Sequence, residues 1–287
     1  MQYAKPKTVA EAARLLKDEA GVTRILAGGT DVLVQMKAGM VEPALVVDIK
    51  GLPGIREIVA EAGGYRIGAC VAGAELGEHA GLKALWPGVV EGAELIGSTQ
   101  VQGRCTQAGN LCNASPAADS VPALVAAGAV ARVIGPDGVR DVAVSDVPVG
   151  PGKTSLKKGE FIASIFVPAR PDRASDAYLR FIPRTEMDIA VASAAVSLEL
   201  DGVGMVTAAR VALGAVAPTV RLVEAAGAAL VGTRLDEAAL DALSAACSAA
   251  CAPIDDKRGT IEFRTHIAGV LAKRAARIAY TRAGGQA

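Results

Sequence analysis

The apolar positions change rhythm at short intervals along the chain. Ala13, Leu15 and Leu16 keep helical spacing behind Thr8-Val9-Ala10-Glu11, and the pattern runs to Gly21. Thr8 and Glu11 stand at capping-box spacing, which predicts a helix start there. A strand over 23–27, a turn at Gly28-Gly29 and a short helix to Lys37 follow. Residues 45–49, all apolar but Asp48, read as a buried strand. Helix, strand, helix, strand in the first fifty residues predicts an α/β arrangement.

Further along, strands over 55–60 and 65–70 flank Gly63-Gly64 and predict a hairpin. Two helical segments cover 74–96, a loop runs from Gly97 to Ser115, and a helix starts near Pro116 and continues to Ala127. Pro136-Asp137-Gly138 marks a second hairpin turn, and residues 161–167 form a strand ending at Pro168. The polar stretch Arg170-Pro171-Asp172-Arg173 is a candidate boundary. Beyond it come strands over 189–200 and 205–213, then helices over 218–230, 235–251 and 261–282. The tail 283–287 is expected to fray. The fold class predicted is therefore α+β, with α/β lobes in domain 1–175 (lobes of about 1–54 and 55–175). A smaller domain of strands and helices follows over 176–287.

Composition narrows the function. The 287 residues are 51% hydrophobic, enough for a large core, and 30 basic residues balance 30 acidic ones. Without a basic stripe, and with 3% aromatic residues, nucleic-acid binding is not expected. No signal peptide and no membrane-spanning run is recognised. Cys70, Cys105, Cys112, Cys247 and Cys251 are an odd set without secretory features, which points to reduced thiols and the cytoplasm.

Two stretches carry candidate chemistry. In "AGGTDVL" (27–33) a strand runs into two glycines and a helix. Glycines let backbone approach an anion closely, Thr30 adds a hydroxyl, and the helix start adds positive potential. No G-x-G-x-x-G or Walker pattern is present, so for this stretch taken alone a plain strand–turn–helix joint is the favoured reading. The second stretch, Gly97 to Pro116, is rich in small and amide side chains, and a loop of that length in a compact domain usually has work to do. Two glycine loops together suggest an extended ligand with a pyrophosphate at its middle. Asp119, placed one turn into the next helix, can accept from a ribose hydroxyl.

"LAGGTDVLVQMK", "IGSTQVQGRCTQAGNLCNASPAADSVPAL", "FIPRTEMDIAVASAAV", "ALGAVAPTVRLVEAA" and "DDKRGTIEFRTHIAGVLAKRA" occur in that order over nearly the whole chain. Together they resemble the FAD-binding medium subunit of molybdenum hydroxylases, the carbon monoxide dehydrogenase and xanthine dehydrogenase family. The resemblance implies a two-lobed FAD-binding domain of the vanillyl-alcohol oxidase type, followed by a C-terminal domain of a small antiparallel sheet with helices. It implies non-covalent FAD, with Ala27, Gly28, Gly29, Thr30, Asp31 and Val32 around the pyrophosphate and Ile96 near the flavin ring. Thr106, Gln107, Ala108, Gly109 and Asn110 would lie along the cofactor, Asp119 on its ribose or adenine side, and Ile162 and Arg180 at further contacts.

By the same resemblance the subunit is an oxidoreductase component with no catalytic acid, base or nucleophile of its own. A large subunit would hold the molybdenum cofactor and a small one two [2Fe–2S] clusters, in a dimer of heterotrimers. Electrons would pass from those clusters to FAD here and on to an external acceptor. A stand-alone FAD oxidoreductase of the same fold and a non-flavin interaction module are the alternatives.

The chain departs from the family's usual pattern twice. Ala108 replaces the first glycine of Gly-Gly-Asn, and Cys105 stands where glycine is usual. Ala108 would cost about 1–2 kcal/mol if its φ were positive; an allowed backbone and a small buried thiol are the readings preferred. Cys247 and Cys251, at i and i+4, share a helix face and read as core packing rather than metal ligands. His79 and His266 read as structural or exposed, Glu186 and Asp188 as no catalytic pair, and Glu75, Glu78, Glu91 and Glu94 as solvated helix faces. The alanine-rich, basic helices over 235–282 suit either an internal bundle or a partner face.

Overall fold

The Thr8 cap sets the first helix. In the computed structural model, which describes residues 1–185 and 187–286, Glu11 N–H donates to Thr8 Oγ1 at 3.1 Å. The Glu11 carboxylate takes the Lys7 amide at 2.8 Å, one residue before the cap. Elements follow as β1 (Gln2–Ala4), α1 (Val9–Asp18), β2 (Thr23–Leu26), α2 (Val32–Lys37) and β3 (Leu45–Asp48). The three strands form a parallel sheet in the order β1-β3-β2. β3 is buried along its whole length because it is the middle strand. Its apolar run is what a strand covered on both faces requires.

The second lobe opens with β4 (Ile58–Glu61) and β5 (Gly64–Gly68), a hairpin whose turn places Ala62 and Gly63 at positive φ. Helices α3 (Gly73–Glu78), α4 (Ala80–Leu85) and α5 (Pro87–Glu94) occupy the span expected to hold two. His79 makes the extra break: it ends α3 and caps α4, its Nδ1 accepting from Leu82 N–H at 3.0 Å. α6 (Thr99–Gln102) and α7 (Gln107–Asn113) replace much of the expected loop. α8 (Ser120–Ala126) starts later than Pro116. Residues 115–119 form turns instead, with Pro116 C=O accepting the Ala215 amide at 2.7 Å, and Asp119 stands at the N-cap position, without a side-chain capping bond, rather than inside the helix.

Strands β6 (Val130–Gly135) and β7 (Gly138–Ala143) make the second hairpin. The short pair β8 (Pro148–Gly150) and β9 (Lys153–Thr154) leads to β10 (Phe161–Val167), which sits centrally in an antiparallel sheet ordered β4-β5-β10-β6-β7.

After the polar break the chain re-enters a sheet at once. β11 (Ala174–Phe181), β12 (Ala192–Leu200), β13 (Val206–Gly214) and β14 (Arg221–Leu222) form an antiparallel sheet in chain order. β11 and β14 stand where no strand was expected. Ser175 and Asp176 gave β11 a polar start, yet both are buried. Helices α9 (Glu224–Leu230), α10 (Glu237–Ala249) and α11 (Ile261–Arg282) cover the sheet. The alanines of α11, among them Ala268, Ala272, Ala275, Ala276 and Ala279, are buried in this layer, so most of that face is internal. Cys247 is buried there, and Cys251 lies past the helix end with its thiol donating to the Cys247 C=O at 3.3 Å. His266 is exposed.

One apolar core fills the first two lobes and a second lies between the last sheet and its helices. Glu91 of α5 is not a free solvated carboxylate: it accepts the Tyr178 amide at 3.0 Å and pairs with Arg282, fastening the two parts together. Asp176 does the same from the other side, accepting from Val89 N–H at 3.1 Å and Arg170 at 2.9 Å. Glu186 lies outside the described residues.

Candidate functional site

A cleft of about 500 Å³ opens between the parallel sheet, the α6–α7 segment and the approach to β10. Its first wall is the turn after β2. Gly29 holds φ +82°, a backbone state open to glycine at little cost. Gly28 has another reason to be glycine: a Cβ there would lie 2.0 Å from the Arg104 carbonyl oxygen. The two loops therefore meet backbone to backbone. α2 then starts at the cleft, with Leu33 and Val34 exposed.

The second wall is α7 and its cap. Thr106 Oγ1 accepts the Gly109 amide at 3.0 Å and so caps the start of α7, whose first turn lines the cleft. Asn110 Oδ1 accepts from Ser120 N–H at 3.2 Å and from Ser120 Oγ at 2.8 Å, fixing the end of this wall to α8. Gln35 donates to Asn113 at 2.9 Å and so joins α2 to α7. Ala108 sits in the first turn of α7 and is not among the positive-φ residues, so the alanine is unstrained.

Of the residues singled out from sequence, Ala27, Gly28, Gly29, Thr30, Asp31, Val32, Ile96, Thr106, Ala108, Gly109, Asn110 and Ile162 line this one cleft. Gln107, Asp119 and Arg180 do not. Gln107 points into the protein, its amide donating to Val89 C=O at 3.3 Å. Asp119 and Arg180 pair with each other at 2.6 Å, and Tyr178 donates its hydroxyl to the same carboxylate at 3.0 Å. This buried triad connects α8 to β11. Burial pushes the Asp119 carboxyl up to about 6, against the opposing pull of Arg180 and Tyr178.

The third wall, Gly152 to Glu160, was not anticipated. It brings Lys157 and Lys158 to the cleft, and β2 brings Arg24. The signal available was a basic pair beside Gly159, just ahead of the strand that carries Ile162. Glu160 is occupied by Arg140, with both contacts at 2.8 Å. Asp31 is the other carboxylate, raised above its ordinary value by the surrounding walls. Burial pushes the Cys105 thiol up to about 11 and that of Cys112 to about 12, so both stay protonated at neutral pH. Cys105 is thus a packed filler. Among the described residues no group of three or more His, Cys, Asp or Glu could hold a metal ion.

The comparisons with known proteins agree along the chain. The family described as the FAD binding domain in molybdopterin dehydrogenase matches residues 1–170, and the CO dehydrogenase flavoprotein C-terminal domain matches 177–279. The carbon monoxide dehydrogenase medium chain of Afipia carboxidovorans is 36% identical, over 98% of this chain and 97% of that one. The xanthine dehydrogenase FAD-binding subunit of Escherichia coli O157:H7 is 31% identical, over 99% and 97%. Among solved structures, CO dehydrogenase from Oligotropha carboxidovorans superimposes with a TM-score of 0.94 at 35% identity, covering 98% of each chain. With two family models matched in order along the chain and the fold shared over 98% of it, the chain belongs to the family of FAD-binding flavoprotein subunits of molybdopterin dehydrogenases.

Proposed function

We propose that the chain is the electron-transfer subunit of a multi-subunit molybdenum hydroxylase. In this role it takes electrons from the [2Fe–2S] clusters of a small partner subunit and passes them to an external acceptor. A large partner subunit holds the molybdenum cofactor, and the assembly is a dimer of heterotrimers. The observation that carries this reading is the cleft closed between two backbone loops, at Gly28 and Arg104, with both helix starts facing it. Its volume falls in the range of cofactor sites.

The residues present fit FAD. Glycines 28 and 29 leave room for backbone to approach a pyrophosphate, and Thr30 and Thr106 supply hydroxyls. Buried Ile162 and half-buried Ile96 offer apolar cover for a ring system. When bound, FAD supplies the redox chemistry, accepting electrons singly and releasing them as a pair. The chain's part is to bind and orient. Ala27 to Val32 and Thr106, Ala108, Gly109 and Asn110 clasp the cofactor, and the Ser120–Asn110 bonds hold the second wall still. Non-covalent binding agrees with the lining, which among the described residues contains no histidine or tyrosine and whose thiols burial keeps protonated. Asp119 and Arg180 act through the fold rather than on the cofactor.

The FAD domain spans 1–175 in two lobes, about 1–54 and 55–175, and the C-terminal domain 176–287. A cytoplasmic location agrees with five free cysteines. No described helix is long and apolar enough to cross a membrane.

The test is transfer between subunits. The small iron–sulfur partner, reduced and freed of reductant under anaerobic conditions, is mixed with the oxidised flavin-loaded chain. Bleaching of the flavin band at equal stoichiometry is the expected outcome. A flavin band that dithionite bleaches but the reduced partner leaves untouched contradicts the reading.

A further inference from the structure

Of the residues from Thr106 to Asn110, only Gln107 turns away from the cleft, and it is 2% exposed. It opens α7, directly after the Thr106 cap. Its side-chain amide donates to the Val89 C=O of α5 at 3.3 Å, while its Oε1 has no hydrogen-bond partner among the described residues. For stability alone this is a poor use of a buried position. Val89 lies within α5, where its carbonyl has a helical donor as well, so the bond rescues no group that would otherwise be orphaned. The unpaired Oε1 carries a desolvation cost that an apolar side chain of the same size would not. What the glutamine adds is direction: it ties the first turn of one cleft wall to a point behind it.

That point is itself fastened to the C-terminal domain. Asp176 of β11 accepts the Val89 amide at 3.1 Å while pairing with Arg170 at 2.9 Å. One turn along α5, Glu91 accepts the Tyr178 amide and pairs with Arg282. A second glutamine repeats the arrangement, Gln102 of α6 donating to the Glu94 C=O at the end of α5. Val89 is thus held by the C-terminal domain through its N–H and holds the cleft wall through its C=O. We propose that Gln107 is a positioning residue for the cofactor: through Val89 it sets the first turn of α7 against the domain junction, so that the Thr106–Asn110 wall is in place before the cofactor arrives. The inference rests on the flavin reading and deepens it. Gln107 acts through its chain neighbours Thr106 and Ala108, which line the cleft where its own side chain does not.

The experiment compares the full-length parent with Gln107→Met, which keeps the side chain's length and removes its donor, and with Gln107→Leu, which removes the donor with a different shape. Each loses one hydrogen bond and one unpaired acceptor, so the apo melting temperatures are expected to stay within about 3 °C of the parent. FAD affinity, read by fluorescence quenching, should fall about two- to tenfold in both, the worth of one hydrogen bond. Hydrogen exchange supplies a readout that packing alone would not move. In the apo variants the amides of 107–113 should exchange faster than in the parent, while those of the C-terminal sheet keep their rates. FAD should slow exchange in α5 of the parent, whereas in the variants this protection should stop at the cleft walls. Parent-like affinity and α7 exchange in Gln107→Met overturn the proposal, because filling space would then be all that the side chain does. A melting temperature that falls in step with affinity overturns it too, since the residue would then serve the fold as a whole. If the parent takes up no FAD, the flavin reading falls, and the apo exchange rates of α7 decide on Gln107 by themselves.

Discussion

Replacing Gly28 by alanine is expected to cost the chain most of its flavin. The new Cβ would stand 2.0 Å from Arg104 O and 3.2 Å from Cys105 Cα, both backbone atoms that cannot rotate away. The two loops must separate, and separating them opens the wall formed by Thr106 to Asn110. Forced overpacking of this kind costs about 1–3 kcal/mol, or about 5- to 150-fold in affinity if the strain is relieved only in the unbound form. Valine, which adds bulk at the same point, should abolish retention through purification. The control is Gly51→Ala, where a Cβ meets nothing within 4 Å. Its stability should stay within about 0.5 kcal/mol of the parent, and its flavin content should match. FAD titration and a thermal melt of the three variants decide the matter; full flavin affinity in Gly28→Ala would show that the loops are not a clasp.

The second large effect lies away from the cleft. Arg180→Met leaves Asp119 buried with only Tyr178 to satisfy it. Removing one partner of a buried pair costs about 3–5 kcal/mol, on the order of 10 °C in melting temperature for a chain of this size. The loss should depend on pH in a definite direction. Burial already raises the Asp119 carboxyl to about 6, above its unfolded value. Such a group contributes stability in full below about pH 4, and that contribution is lost as pH rises through about 6. Without the guanidinium the carboxyl moves higher still, so the loss extends to more alkaline pH. Melts of Arg180→Met and the parent should therefore lie far apart at pH 8 and draw together toward pH 5. Asp176, also raised to about 6 by burial, is common to both proteins and cancels in the difference. A gap of constant size at all pH values would mean that lost packing, not the stranded carboxylate, is responsible.

What the chain disclosed in advance depended on the length and regularity of each element. α11 was legible from end to end because small and apolar residues recur at helical spacing through its 22 residues, with Ala268, Ala272, Ala275, Ala276 and Ala279 buried and Arg274 and Arg282 exposed. β10 was legible because its apolar run stops at Pro168. α6 and α7, of four and seven residues, are too short to display a period, and their amide-rich sequence looks like loop. β11 was hidden by Asp176, whose burial depends on Arg170 and the Val89 amide, neither visible as a local pattern. Both glycine loops could be picked out because their composition is itself unusual. Lys157 and Lys158 could not, since an exposed basic pair is ordinary until the fold closes it against β2 and α7. The Asp119–Arg180 pair, 61 positions apart, gave no signal that the two side chains would choose each other.

The central claim is that the cleft holds FAD without a covalent bond. It is tested most directly by the absorption spectrum of the purified chain before and after heat denaturation. The expected result is a flavin spectrum at one equivalent per chain, with all the yellow colour passing into the supernatant as FAD once the protein precipitates. A colourless chain that stays colourless after incubation with FAD, while its melting temperature does not move, would contradict the claim.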